Sequence, residues 1–398
     1  MLNRNFNLLW LSQIVSSIGN KLTIFGFPLV GIFIYDTTVL ETSMITVMSF
    51  LPSLLFGTII GVVVDRGDKR KIGIFTNIIC FVISIILFVF SIFKILPLWG
   101  FYILIFLLNT FLLFGSISFY SQIPMVVEKE NLKKANYKME LSNSVIDTAA
   151  PSVGGIIFDL FSAPFIFIID GMTFILASFC QILLPCDIEK DRVKTKKKSI
   201  VHIREAYNYV FNNQILFRLA MSYFVLVFGI GIFQSIQFYY LSKVLNVAPY
   251  TIGMIISVGN IGLVVASISS LKISDTIGMG RTIILSFILY AVGFTLYYLS
   301  SEESTLSLFV ATMCIGAAMP LYNVNATTIR QSNVDLSMLG SVSAIWRIFG
   351  RGLIPLGATI GGGISTYFSV KMAILISVII VLLGLCIVLL SDELKKYT

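Results

Sequence analysis

Residues 44–93 read MITVMSFLPSLLFGTIIGVVV (44–64), DRGDKRK (65–71) and IGIFTNIICFVISIILFVFSIF (72–93). The two outer blocks carry no charged residue, and each is about as long as the 20 residues a helix needs to cross a hydrocarbon core. Between them the short loop is charged at every position but Gly67. The pattern is two membrane spans joined on one side of a bilayer.

The rest of the chain repeats this pattern. Hydrophobic residues make up 57% of the 398, charged residues 12%, and mean hydropathy is +0.94. A soluble domain carries roughly twice that charge. Spans are expected at 6–34, 42–64, 72–93, 96–120, 139–161, 163–185, 214–241, 250–271, 281–299, 304–329, 338–366 and 368–390. The chain therefore reads as an all-α membrane protein of twelve transmembrane helices. The first stretch is too long for a signal peptide and lacks a small-residue cleavage pattern, so it reads as a span.

Charge placement sets the expected topology. Arg66, Lys69, Arg70 and Lys71 lie in the second loop, Lys129, Lys133, Lys134 and Lys138 in or beside the fourth, and a lysine-rich run from Lys190 to Arg204 in the sixth. The odd loops and their margins hold little beyond Lys94, Lys243 and Lys371. Basic loops stay inside, so even loops and both termini are expected to be cytoplasmic, in the cell membrane. A formal charge of +8 spread over such loops is a topology signal and does not point to nucleic acid. The sixth-loop lysines could also meet anionic membrane lipids. His202 reads as a surface residue of this loop. The five cysteines lack metal-ligand spacing and read as packing residues, so no metal or other cofactor is expected.

The sixth loop divides the chain into a first six-span bundle (1–185), a linker with helical spacing from Ile203 to Phe211 (186–213), and a second bundle (214–398). The halves look like pseudo-symmetric repeats. Span 5 carries Asn143, Asp147 and Pro151; span 11 carries Arg347, Arg351 and Pro355 at the same spacing. Asp65 and Arg70 after span 2 correspond to Asp275 and Arg281 after span 8. Paired repeats of this kind favour a transporter with its site between halves.

Over essentially its whole length the chain resembles the major facilitator superfamily. Gly61-Val-Val-Val-Asp65-Arg66-Gly67-Asp68-Lys69-Arg70-Lys71 resembles the superfamily motif between spans 2 and 3, which implies a latch on the cytoplasmic gate. The carboxylates Asp65 and Asp68 also precede the positive dipole end of span 3. Ala150-Pro151-Ser152-Val153-Gly154-Gly155 resembles the span 5 motif of antiporters, with alanine in place of the first glycine. Proline bends this helix and glycine lets another approach closely.

A narrower resemblance is to the third drug:proton antiporter subfamily, which includes macrolide and siderophore exporters. It rests on Asn5-Phe6-Asn7-Leu8-Leu9-Trp10, Ile123-Pro124-Met125-Val126-Val127, Ile169-Asp170-Gly171-Met172-Thr173-Phe174 and Trp346-Arg347-Ile348-Phe349-Gly350-Arg351-Gly352. The chain departs from its relatives at Asn20-Lys21, where an acid is frequent, and at Asn109, where many drug antiporters carry arginine. A proton route borrowed from those positions does not transfer.

Charge at bilayer depth is costly and needs a partner or a task. The candidates are Lys21, Asp147, Asp170, Arg347 and Arg351. Asp147, one turn before Pro151, is the first choice for a proton carrier, with a fixed pair to Lys21 or Arg351 as the alternative. Asp170 is the second choice and is expected to be structural. The superfamily resemblance implies a cavity lined by spans 1, 4, 7 and 10. These carry Gln13, Ser17, Asn20 and Lys21 on one face of span 1, then Asn109, Ser116 and Tyr120, then Gln234 and Gln237, then Met319, Asn323 and Thr327. Amides and hydroxyls among phenylalanines and methionines suit a small amphipathic substrate.

No phosphate-binding loop or soluble domain is evident, so an ion or substrate gradient must supply energy. The expected function is export in exchange for protons, by alternating access, from a monomer as the fold implies. A metabolite importer and a lipid flippase of the same fold are the alternatives. A membrane transferase is disfavoured by the lack of a histidine, metal or carboxylate cluster.

Overall fold

A computed structural model describes residues 4–128, 131–185, 201–302, 305–334, 338–395 and 397. Its long helices are α1 (Arg4–Ile34), α2 (Val39–Arg66), α3 (Lys69–Phe93), α4 (Leu98–Val126), α5 (Leu132–Phe161) and α6 (Phe165–Ile182). A shorter α7 (Val201–Asn212) precedes α8 (Gln214–Tyr239), α9 (Pro249–Ile277), α10 (Met279–Leu299), α11 (Thr305–Ser332), α12 (Leu339–Tyr367) and α13 (Val370–Leu389), and α14 (Asp392–Lys395) ends the chain. Eleven helices among the described residues are long and apolar enough to cross a membrane. With α12 they account for the twelve expected spans. The lysine run of residues 186–200 lies outside the described residues.

Several boundaries differ from expectation: α4 ends at Val126 rather than 120, and α9 at Ile277 rather than 271. Helix α5 begins at Leu132, one to two turns ahead of the apolar block, because the Lys-rich start is a good helix former that hydropathy alone passes over. Helix α8 runs on through a π-helical turn, Tyr240–Val244. Prolines sit inside α1, α2, α4, α5, α11 and α12. Neighbouring helices and side chains can satisfy the freed backbone groups in a bundle.

The described residues fall into two compact units, one within Met1–Lys194 plus Ala248–Ser257, the other within Thr195–Val247 plus Val258–Thr398. In the first unit α1 packs on α5 and α6, and α3 on α4 and α6. Its core centres on Phe27, Phe101 and Phe167, all essentially buried. The Phe27 and Phe101 rings meet edge to face at 6.2 Å. The start of α1 is fastened separately: Trp10 Nε1 donates to Ser142 Oγ at 3.1 Å, and Lys138 Nζ lies 3.5 Å from the centre of the Trp10 ring.

The segment Ala248–Ser257 belongs to this unit because α9 meets α5 backbone to backbone. A β-carbon on Gly155 would lie 2.8 Å from Tyr250 Cα, and one on Gly253 would strike the Pro151 carbonyl oxygen. Ser152 Oγ and Ser257 Oγ are 2.8 Å apart beside this contact.

In the second unit α8 packs on α12 and α13, and α10 on α11 and α13. Phe233 stacks on Phe294 at 4.4 Å and meets Tyr297 edge on at 4.8 Å. Helices α9 and α11 again touch through backbone. A β-carbon on Gly259 would lie 3.1 Å from the Thr312 carbonyl oxygen, and one on Gly262 would strike that of Met313.

Candidate functional site

In the first unit the polar face of α1 lines a small cavity of about 60 Å³. Gln13, Ser17, Asn20 and Ser116, four of the expected residues, line it. Gln13 Nε2 donates to Ser17 Oγ at 3.1 Å, one turn along α1. The other walls combine Phe111 and Leu112 of α4 with polar residues of α3 and α6 that the sequence did not single out, Thr76, Asn77 and Gln181. Asn109 and Tyr120 are not among the lining residues. Asn109 donates to the Ile105 carbonyl at 2.9 Å, and Tyr120 is exposed.

The intramembrane charges separate into two arrangements. Lys21 Nζ lies 2.7 Å from Asp147 Oδ1, and the two side chains are 41% and 36% exposed. Asp147 stands one turn before the buried Pro151 of α5. Gly154, on the same face, packs so closely that a β-carbon there would lie 2.7 Å from the Phe25 ring of α1. Asp170, by contrast, is fully buried. Thr23 Oγ1 donates to its Oδ2 at 2.6 Å, and Thr173 Oγ1 lies 3.4 Å from Oδ1. The side chains of Arg347 and Arg351 lie outside the described residues.

The loop from Gly61 to Lys71 has a clear local logic. Asp68 caps α3 by accepting from Lys71 N at 2.9 Å, and Lys71 Nζ lies 3.6 Å from its other oxygen. Arg70 reaches the last turn of α6, donating to the carbonyls of Gln181 at 3.0 Å and Ile182 at 2.6 Å. It places a positive charge at a helix C-terminus and adds a donor to two of its last carbonyls, that of Gln181 also accepting from Leu184 N. Asp65 and Arg66 are exposed, and a β-carbon on Gly61 would meet open space.

In the second unit Asp275 and Arg281 share a wide cavity of about 820 Å³ with Asp392 and Tyr397. Gly280 N donates to the Tyr397 carbonyl at 3.1 Å, which ties the chain end to this loop. Gln237 Nε2 donates to Tyr297 Oη at 2.9 Å. Gln234 and Asn323 are exposed, while Met319 and Thr327 are half-buried. The buried amide of α11 is Asn325, whose Oδ1 accepts from Ser274 Oγ at 2.8 Å.

A family model described as Major Facilitator Superfamily matches residues 9–353, and again 219–397. The chain belongs to this superfamily. Macrolide efflux protein A of Streptococcus pyogenes is 26% identical over 222 residues, 54% of this chain and 53% of that protein. The chain thus matches about half the length of that relative. The MFS-type transporter YvqJ of Bacillus subtilis is 21% identical over 99% of this chain and 93% of its own. Among solved structures, a point mutant of the nucleoside transporter NupG superposes with a TM-score of 0.82 at 10% identity, covering 98% of this chain and all of that one. This likeness is one of fold.

The protein is accordingly a multi-pass membrane transporter of the major facilitator fold. The Lys21–Asp147 pair is a half-exposed ion pair one turn from the proline inside α5. The cavity of α1, α3, α4 and α6 offers neutral oxygens. Asp170 offers a carboxylate enclosed by hydroxyl groups.

Proposed function

We propose that this major facilitator protein exports a small amphipathic compound by alternating access, in exchange for protons. The observation that carries the reading is the Lys21–Asp147 pair, 2.7 Å apart and half-exposed, one turn from Pro151. Protonation of Asp147 would cancel its charge and weaken its pairing with Lys21, which biases the two access states differently. The span 5 motif and the partial likeness to macrolide efflux proteins support export over uptake.

In this scheme both termini are cytoplasmic, the loop from Gly61 to Lys71 and its counterpart from Asp275 to Arg281 latch the cytoplasmic side, and the two six-helix halves rock as a monomer. Substrate meets the uncharged amides and hydroxyls of α1, α4, α8 and α11, namely Gln13, Ser17, Asn20, Asn109, Ser116 and Tyr120 in the first half and Gln234, Gln237, Met319, Asn323 and Thr327 in the second. Pro151, Gly154 and Gly155 give α5 the bend and close approach the motion needs.

The test follows proton release from energised everted vesicles with a pH-gradient dye as macrolides, dyes and siderophores are added. Export coupled to protons requires release with at least one compound, lost in Asp147→Asn protein that is folded and inserted. Silence across a broad panel would remove the reading.

A further inference from the structure

The residues that follow α13 form a strap across the second unit. Ser391 Oγ accepts from Leu394 N at 3.4 Å at the head of the short α14, and Leu394 is fully buried. Burying that leucine removes apolar surface from water and pegs the strap in place. Beyond the peg, Tyr397 makes two separate attachments.

The first is to the start of α10. Gly278 stands at the N-cap of that helix, so no side chain there can receive its leading N–H groups. The Tyr397 carbonyl does so instead, accepting from Gly280 N at 3.1 Å. Its oxygen also faces the positive end of the helix dipole. The second attachment is to the end of α11. Tyr397 Oη lies 2.7 Å from Ser332 Oγ and accepts from Asn333 Nδ2 at 2.8 Å. Ser332 Oγ gives its own proton to the Ile329 carbonyl at 3.0 Å, so the tyrosine proton goes to Ser332. Asn333 Nδ2 gives its other proton to the same Ile329 carbonyl, at 2.8 Å.

Asn333 carries the contacts one step further. Its carbonyl accepts from Tyr209 Oη of α7 at 3.3 Å, and α7 is the helix of the linker. Tyr209, Asn333, Tyr397 and Gly280 thus join α7 to the start of α10 through three hydrogen bonds. None of the four carries a charge, so salt does not screen the link. The loop it reaches bears Asp275 and Arg281, both exposed, and borders the cavity of about 820 Å³. Space on that side leaves the loop room to move once the strap lets go.

We propose that Tyr397 couples the linker helix α7 to the α9–α10 loop, so that displacing α7 loosens the start of α10. Such coupling is reciprocal: loosening the strap must loosen α7 by the same free energy. The device goes beyond the export reading and does not depend on it.

The test is hydrogen–deuterium exchange of purified full-length protein in detergent, read by mass spectrometry. Tyr397→Phe keeps the ring and the main chain and removes only the hydroxyl. It should speed exchange at the start of α10, at the end of α11 and in α7 by about fivefold, the scale of one lost hydrogen bond. Tyr209→Phe, whose own contact is on α7, should also speed exchange at the start of α10. Combined with Tyr397→Phe it should add nothing there, because both act through one chain of contacts. Wild-type exchange at the start of α10 in Tyr209→Phe protein overturns the proposal. So does an additive effect in the double variant, which would mean two separate routes. A rise of equal size in α3 would mark a general loosening and also overturns it. None of these outcomes bears on proton release from vesicles, so the two readings fail separately.

Discussion

Lys21 Nζ and Asp147 Oδ1, 2.7 Å apart, join α1 to α5 through an ion pair. Both side chains are roughly two-fifths exposed, and on the aqueous path of the proposed transport cycle an ion pair this open is worth about 0–1 kcal/mol. Asp147→Asn and Lys21→Met should therefore each melt close to the wild-type protein in detergent. Proton release on substrate addition should nevertheless fall to background in Asp147→Asn. A large drop in melting temperature would recast the pair as structural.

Ser152 and Ser257 place their hydroxyl oxygens 2.8 Å apart where α5 meets the start of α9. In a background lacking the native cysteines, Ser152→Cys with Ser257→Cys should close a disulfide under mild oxidation, since partners this near are within reach of its geometry. Transport should stop on oxidation and return on reduction, because alternating access needs some helix contacts to open. Mobility shifts after cleavage between the two positions would score closure. Transport that continues through a closed disulfide would show that this contact is static.

Arg70 holds the end of α6 through two carbonyls, at 3.0 and 2.6 Å. Charge-assisted bonds contribute about 1.5–3 kcal/mol each before solvent screening, which reduces that figure at a half-exposed site. Arg70→Ala should lower thermal stability measurably, and Arg70→Lys should recover only part of it because an ammonium cannot present the guanidinium fork. Lys71, mostly exposed, should be replaceable by alanine without thermal effect. Equal losses at both positions would count against the cap.

Two glycines should respond to alanine in opposite directions. At Gly19 the new methyl would strike Asp170 Oδ1 and Thr173 Oγ1 and come within 2.9 Å of Asp170 Cα. Overpacking of this kind costs about 1–3 kcal/mol. At Gly61 it meets nothing within 4 Å. There the gain in helix propensity, up to about 1 kcal/mol, should leave the protein as stable or slightly more so. Melting curves of the two variants check both signs.

The fold was legible because uncharged blocks of membrane length admit few other structures. The Lys21–Asp147 pair was legible for the same reason, since charge at that depth stands out. The cavity was half legible. Gly73, Thr76, Asn77 and Cys80 recur at helical spacing on one face of α3, yet they sit in a span the superfamily pattern does not assign to the substrate path. Gln181 looked like one more polar residue near a helix end.

On α11 the periodicity could not rank two nearby amides. Asn323 is exposed and Asn325, about 200° further round the helix, is buried against Ser274. Contacts that depend on a neighbouring helix, such as Lys138 over Trp10, have no local signature in the chain.

Helix α9 meets other helices through Gly253, Gly259 and Gly262, each set against a carbonyl oxygen. Side chains can trade volume with one another over generations, but a carbonyl oxygen cannot be exchanged for a smaller one. Any residue larger than glycine at these positions demands a shift of a neighbouring main chain, and a single base change cannot supply that. The polar residues that would greet a cargo face no such restraint and can drift one at a time. A lineage built on this seam would broaden its repertoire of cargo while its helices kept the same lie.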